Sequence, residues 1–518
     1  MAVIWFVLTC YFFLLNTTEA ARILAVIPTP SFSHQVVFRP LTLELAKRGH
    51  DVTVITTDPL FKNEKPPANF TEIDVHDISY DVWKKAFLAR KNNNDGVVEQ
   101  FKIFSAMFID IFDAQLRDEN VSKLIRDKNQ KFDLLILEAC FRPALIFSHI
   151  FKDVPVIQMS SFGAVYDNLV NIGAPLHPLL YPSAPRKRVN NLTVWEKIEE
   201  MYIYTRLTNG RAEYLPIEDE LLRKHFGQDT PSLSELRKNI DMLFLNTHPI
   251  FEGIRPMPPN VVYTGGLNEL PPKELPTELK SYLDSSKNGV IYISYGTNVD
   301  PTRLSPEKVQ ILVKTVSKLP YDVLWKWNGD ELPGRTANIR ISKWLPQPDL
   351  LRHPKIKVFV TQAGLQSTDE AILAGVPLIA MPMVGDQPFN AERYEQFKIG
   401  IRVDFQDVTE DKFKNAILKV INDDSYRKNI VKFRELLQDQ VQTPLERAVW
   451  WTEYVLRHGG AKHLRSPGAY ISWSEYLELE LVFTLLFILQ VIAVVSFIVT
   501  RKLYQFVKGY VSVKTKRE

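Results

Sequence analysis

Short apolar runs alternate with stretches of helical periodicity along most of the chain. Residues 22–27 (Arg-Ile-Leu-Ala-Val-Ile) predict a buried strand. Residues 35–48 carry a helical pattern that stops at Gly49, and 52–56 (Val-Thr-Val-Ile-Thr) predict a second strand. This is a βαβ unit whose first loop, 28–34, follows the carboxyl end of the first strand. Further strand runs stand at 132–137, 154–159 and 242–246 with helical patterns between them, so this half predicts one doubly wound parallel domain. A Pro-rich stretch from Pro249 to Pro276 reads as a linker. A second series follows, with strands at 289–294, 322–327, 338–341 and 356–361 and helices near 306–318, 364–374 and 387–398. Two α/β domains of similar size would then face each other, with a ligand in the cleft at their strand ends.

Two longer apolar stretches lie outside this alternation. Residues 1–20 combine an apolar run with Thr18-Glu19-Ala20, a small-x-small cleavage pattern, and predict a signal peptide. Residues 481–500 are apolar apart from Gln490 and predict a membrane span of about 30 Å at 1.5 Å per residue. Arg501 and Lys502 follow at once, which puts the tail in the cytoplasm and the body on the lumenal side, a single-pass type I arrangement. Sequons at Asn69, Asn120 and Asn191 fit that side. The expected division is 1–20 signal peptide, 21–250 first domain, 251–285 linker, 286–458 second domain, 459–480 juxtamembrane segment, 481–500 span and 501–518 basic tail.

Charge and cysteine content narrow the function. The net charge is +3, and the last 18 residues alone carry six Lys/Arg and one acid. The body is therefore near neutral, which argues against nucleic acid as a partner. Of the two cysteines, Cys10 lies in the segment expected to be removed. Cys140 alone can form neither an internal disulfide nor a cysteine zinc cluster.

The chemistry concentrates in the second domain. In Phe359-Val-Thr-Gln-Ala-Gly-Leu-Gln-Ser-Thr-Asp-Glu370, a strand ends at Thr361 and the turn Ala363-Gly364 opens a helix. Such a junction aims backbone N–H groups and the positive helix end outward, which suits a diphosphate. Ser367 and Glu370 share one helix face. An ordinary strand–turn–helix junction is an equal reading of these residues. Asp386-Gln387 pairs an acid with an amide suited to sugar hydroxyls, although an acid there commonly caps the next helix. Trp344 taken alone reads as a core aromatic.

Together, Trp344-Leu-Pro-Gln347, Gln362-Ala-Gly, Ser367, Glu370, Gly375-Val-Pro and Asp386-Gln387 resemble the signature of the UDP-glycosyltransferase family. The resemblance extends to Ser33-His34, Arg48-Gly49-His50, the C-terminal span and the basic tail, and points to the membrane-bound insect-type and baculoviral branches. It implies the GT-B fold, two facing Rossmann-like domains with the UDP-sugar in the second. By position it implies that Trp344 stacks on uracil and Gln347 bonds it. Gln362, Gly364, Ser367 and Thr297 would hold the diphosphate, Glu370 the ribose, and Asp386 and Gln387 the sugar.

The resemblance also assigns His34 as general base in an inverting transfer, a task a neutral imidazole can perform on a weakly acidic hydroxyl. A loop histidine bonded to backbone is the plainer reading of that residue alone. The family orients the base with an Asp where this chain has Glu138, one methylene longer. Asp133, at the start of the same strand, is too far along it to substitute. Gln362 stands where most of the family has His, and Ala363 where Gly is usual. No metal and no cofactor beyond the UDP-sugar are expected. The implied activity is transfer of a hexose, with glucose favoured, to a small lipophilic alcohol or phenol in detoxifying conjugation. The lysines Lys514 and Lys516 resemble a dilysine retrieval signal and imply residence in the endoplasmic reticulum membrane. The competing reading is a non-catalytic, membrane-anchored binder of UDP-sugars or lipophiles. Self-association is left open.

Overall fold

The computed structural model describes residues 20–89, 96–181, 186, 188, 191–269 and 271–514. The expected signal peptide, 1–20, lies outside the described residues but for Ala20, as does Lys516. The chain divides into two units, residues 1–465 and 466–518.

The first unit holds two all-parallel sheets. The first contains β1 (Arg22–Ile27), β2 (Asp51–Thr56), β3 (Phe70–Asp74), β4 (Leu134–Glu138), β5 (Val156–Ser160), β6 (Ile240–Leu245) and β7 (Val261–Tyr263). Their spatial order is β3-β2-β1-β4-β5-β6-β7. The second contains β8 (Val290–Ser294), β9 (Asp322–Lys326), β10 (Ile339–Ser342), β11 (Ile356–Thr361), β12 (Leu378–Ala380) and β13 (Gly400–Arg402), in the order β10-β9-β8-β11-β12-β13. Both orders reverse direction beside the first strand of the sheet, the switch point at which doubly wound folds bind ligands. The central strands β4, β5, β6 and β8 are buried along their whole length, as the unbroken apolar runs require of strands covered on both faces.

Two expected boundaries need correction. The stretch 251–285 is not a free linker. β7 is the last strand of the first sheet, and helix Thr277–Ser285 buries Leu279 and Leu283 in the second domain's core. The crossing is therefore shorter than its proline content suggested.

The second correction is at the other end. The helix Pro444–His458, expected to close the second domain, packs on the first. Ala448, Val449 and Val455 join the cluster of Ile23, Ala25, Val37 and Leu41. Arg48 Nη1 donates to Glu453 Oε1 at 3.1 Å, and Ala461 N–H donates to Asp241 Oδ1 at 2.9 Å. The apolar face of this helix finds its partner across the molecule rather than in sequence.

The second unit is dominated by one helix, Leu479–Lys514. Its segment Leu479–Val511 is 33 residues long and contains an 18-residue apolar window of mean hydropathy 2.8, long enough to cross a bilayer. The helix runs beyond the expected 481–500 span and carries Arg501, Lys502 and Lys508 within it.

Candidate functional site

The carboxyl ends of both sets of strands open on one cavity of about 2060 Å³. Three elements of the first sheet bring His34 into it. Ser31 is the N-cap of α1 (Phe32–Lys47), which places His34 in that helix's first turn just after β1. Glu138 is the last residue of β4, the neighbour of β1 in the sheet. Ser161 follows β5.

His34 Nδ1 lies 2.6 Å from Glu138 Oε1, and Ser161 Oγ is 3.0 Å from the same nitrogen. Glu138 is fully buried and its Oε2 accepts from Thr29 N–H at 3.1 Å. The carboxyl is thus fixed by backbone on one oxygen and by imidazole on the other. Since a carboxylate only accepts, Nδ1 carries the proton and Nε2 keeps a lone pair. The extra methylene of Glu, relative to the family's Asp, is accommodated. Asp133 sits at the far end of β4, where it accepts from Arg22 N–H at 2.7 Å.

His34, Glu138 and Cys140 bring three ligand-type atoms within 4.8 Å of one another. The Cys140 thiol, however, donates to Glu138 Oε1 at 3.4 Å, and burial pushes its pKa well up, with Glu138 adding to the shift. The thiol is thus a third donor to the carboxylate, beside Thr29 N–H and His34 Nδ1.

The opposite wall comes from the second sheet. Trp344 follows β10 and is 60% exposed, so it is not the core aromatic its composition alone suggested. Its ring meets Phe32 of α1 edge-on at 5.6 Å, and Lys326 Nζ, at the end of β9, lies 5.4 Å from its centre. Gln347 Nε2 donates to Ser367 Oγ at 2.9 Å and Glu370 Oε2 at 2.7 Å, and its Oε1 accepts from Tyr292 at 2.9 Å. Gln347, Ser367 and Glu370 therefore form one constellation. Burial pushes the Glu370 carboxyl up to about 7, against the opposing hydrogen bond from Gln347.

The turn after β11 differs in detail from expectation. The left-handed residue is Ala363, at φ 68°, whereas Gly364 is the extended N-cap of α2 (Leu365–Ala374). Gln362 Oε1 accepts from Thr361 Oγ1 at 3.1 Å. Its Nε2 lies against Gly296, where an added Cβ would come within 2.2 Å of it. Thr297 is exposed in that same turn beyond β8. Lys326 Nζ donates to Gly296 O at 2.5 Å, and burial lowers its pKa. Lys326 is a cavity-lining cation that the family signature did not single out; its place at a strand's carboxyl end was the available signal.

Asp386 is the N-cap residue of α3 (Gln387–Gln396), but its side chain makes no capping bond. Its Oδ2 accepts from Asn390 Nδ2 at 2.7 Å, and Leu365 N–H at the start of α2 also bonds the carboxyl. Burial raises its pKa, against the hydrogen bonds from Asn390 and Leu365. Gln387 Oε1 is committed to the loop, accepting from Met383 and Val384 N–H at 2.8 and 2.9 Å. Gln387 was expected both to donate to and to accept from a sugar; with Oε1 engaged, its Nε2 is the part left to serve one.

Direct bonds cross the cleft. Ser31 Oγ donates to Asn298 Oδ1 at 3.0 Å, and Gln366 Nε2 donates to Ser161 O at 2.9 Å. The His34 wall and the turns at 297 and 364 are thereby held in register. The remaining walls are mostly apolar, with Trp83, Phe101, Phe104, Phe108, Tyr204 and Leu207. The loop after residue 174 adds Leu176, Pro178 and Tyr181.

Comparison with known proteins agrees with this geometry. The family model described as UDP-glucoronosyl and UDP-glucosyl transferase matches residues 22–517. The Ecdysteroid UDP-glucosyltransferase of Lymantria dispar multicapsid nuclear polyhedrosis virus is 36% identical over 490 residues, covering 93% of this chain and 95% of the viral protein. UDP-glycosyltransferase UGT5 of Dactylopius coccus is 31% identical over 482 residues, covering 90% of this chain and 89% of its own. Among solved structures, Arabidopsis thaliana UGT89C1 complexed with UDP-L-rhamnose superposes with a TM-score of 0.56 at 17% identity, covering 85% of this chain and 99% of the plant chain. The calicheamicin glycosyltransferase CalG4 gives 0.55 at 16%, covering 85% and 99%. These two likenesses establish the GT-B fold.

Proposed function

Because the chain belongs to the UDP-glucoronosyl and UDP-glucosyl transferase family, we propose that it moves glucose from UDP-glucose to a hydroxyl of a small lipophilic acceptor, with His34 as general base. The single observation that carries the mechanism is the 2.6 Å contact between His34 Nδ1 and Glu138 Oε1. It leaves Nε2 to take the acceptor's proton as the acceptor oxygen bonds the anomeric carbon. The bond from that carbon to the diphosphate breaks on the opposite face, so the configuration inverts and UDP leaves. The imidazolium formed is stabilised by the buried Glu138 carboxylate.

In this reading Trp344 stacks on uracil and Gln347 bonds it. Glu370 accepts from the ribose. Thr297, Gln362, Ser367, the Gly364 turn and the start of α2 meet the diphosphate. Lys326 adds a cation to that wall, so the reaction is proposed to need no metal. Asp386 and Gln387 Nε2 face the transferred sugar.

Glucose is favoured over glucuronate for a local reason. The loop 381–390 holds no Lys or Arg. Arg393, the nearest cation in sequence, donates to Glu252 O at 2.8 Å and stacks on Phe389. A glucuronate carboxylate would meet Asp386 without that partner. The viral relatives' names, which specify glucosyl transfer to ecdysteroids, support both the donor and a steroid-like acceptor. Anchoring by helix Leu479–Lys514 in the endoplasmic reticulum, with the catalytic domains lumenal, and a role in conjugation complete the proposal.

A non-catalytic binder would gain from Gln362 and Glu138 as departures from the family, but Glu138 reaches His34. The test compares kcat/KM for UDP-glucose and UDP-glucuronate with one accepted phenol. Preference for UDP-glucose, with a β-glucoside as product, is expected. Equal use of the glucuronate would reject the donor assignment, and absence of UDP release with every phenol would favour the binder.

A further inference from the structure

The acceptor half of the cavity contains a charged cluster that the transfer itself does not use. Arg142 leaves the turn after β4, Asp167 stands on helix Tyr166–Ile172, and Arg211 and Glu218 stand on the long helix Val194–Phe226. All four line the cavity among Phe101, Tyr166 and Leu207. Arg142 Nε and Nη2 donate to Glu218 Oε1 at 3.3 and 3.1 Å, and Arg142 Nη1 lies 3.6 Å from Asp167 Oδ2. Arg211 Nε lies 3.2 Å from the same Asp167 oxygen, and its guanidinium carbon lies 5.0 and 4.9 Å from the ring centres of Phe101 and Tyr166.

The cluster is incompletely satisfied. Glu218 is 3% exposed, yet its Oε2, 3.1 Å from Arg142 Nη2, accepts no aligned hydrogen bond, and Arg211 Nε beside Asp167 is likewise buried without an aligned acceptor. Unmet buried polar atoms are costly unless something fills them. If the cluster only tied the long helix to the core, apolar packing would do so without that cost. Beside the rings of Phe101 and Tyr166, its chemistry suits a hydroxyl, which can donate to Glu218 and accept from Arg211 or Arg142. Burial raises the Glu218 carboxyl to about 7, so the group can also donate.

We propose that Arg142, Asp167, Arg211 and Glu218 form a polar subsite for a second hydroxyl of the acceptor, distinct from the hydroxyl presented to His34. This rests on the proposed transferase reading and deepens it. The acceptor class becomes a rigid, largely apolar molecule carrying at least two separated hydroxyl groups. Selection against mono-hydroxylated analogues follows, since a site built to bond a hydroxyl rejects ligands that leave its polar atoms unpaired.

The full-length membrane protein is assayed for UDP release with 1-naphthol, and with estradiol and 17-deoxyestradiol, which share a skeleton and a phenol and differ in the distal hydroxyl. The proposal expects kcat/KM for estradiol to exceed that for the deoxy compound at least tenfold, mainly through KM. Glu218→Gln and Arg142→Gln should cut that ratio below threefold, with melting temperature measured in parallel. Turnover of 1-naphthol without a diol advantage overturns the subsite and leaves the transferase reading standing. Equal losses on both steroids in the variants also overturn it, by making the cluster a structural tie. Failure with every acceptor overturns the transferase reading on which it rests.

Discussion

His34 and Glu138 stand 104 residues apart in sequence, and their side chains meet at 2.6 Å because β1 and β4 are neighbours in one parallel sheet. The pairing fixes which imidazole nitrogen carries the proton. In the proposed mechanism, replacing Glu138 by Gln keeps the shape but removes the anion that would hold Nδ1–H and stabilise the imidazolium. Glu138→Gln should lower kcat by about 10²-fold or more, with UDP affinity unchanged. An unimpaired variant in steady-state assays would mean that another group orients the base.

Gly296 is required where it stands. Its φ is +72°, and a Cβ would approach Gln362 Nε2 to 2.2 Å. Gly296→Ala should displace Gln362 and the Thr297 turn together. The expected result is a rise of about tenfold or more in KM for UDP-glucose, since small displacements of positioning groups are costly. An unchanged KM would show that the diphosphate is held elsewhere.

Glu370 should make nucleotide binding pH-dependent. Its pKa in the free protein is raised from 4.5 to about 7 by burial. The folded state therefore holds a proton that the unfolded state releases, and this group's contribution to stability falls as pH rises from about 4.5 to 7. On the proposed reading ribose hydroxyls donate to the ionised carboxylate, so UDP should bind more tightly as pH rises from 6 to 8. Calorimetric titration of wild type against Glu370→Gln separates this from the nucleotide's own titration. Identical slopes in the two proteins would remove Glu370 from the ribose site.

The three sequons should not behave alike. Asn69 Nδ2 already donates to Ala46 O at 2.7 Å and His50 O at 2.8 Å, whereas Asn120 and Asn191 are exposed. With the body lumenal, Asn120→Gln and Asn191→Gln should each remove one glycosidase-sensitive step in gel mobility, and Asn69→Gln should remove none. Absence of glycan at both exposed sites would contradict the lumenal orientation.

The central strands were legible because strands covered on both faces read as unbroken apolar runs, as in Leu134–Leu137 and Ile291–Ile293. The edges were not. β3 is Phe-Thr-Glu-Ile-Asp with a mostly uncovered pattern, and β7 is three residues inside a Pro-rich stretch. The packing of helix Pro444–His458 on the first domain depends on contacts far away in sequence, with Ile23 and Val37. Within the site, Trp344, Gln347, Ser367 and Glu370 could be named because a family signature spaces them. Arg142, Asp167, Arg211 and Glu218 follow no such spacing, and only the fold brings them together.

The most direct test of His34 as base is UDP release from UDP-glucose and an accepted phenol by His34→Ala at pH 7, with UDP affinity measured on the same preparation. The proposed base and nucleotide site lie on different sheets, so transfer should fall by about 10²-fold or more while UDP binds as in wild type. Retention of more than about a tenth of wild-type turnover, against the 10²–10⁴-fold typical of general base catalysis, would contradict the account.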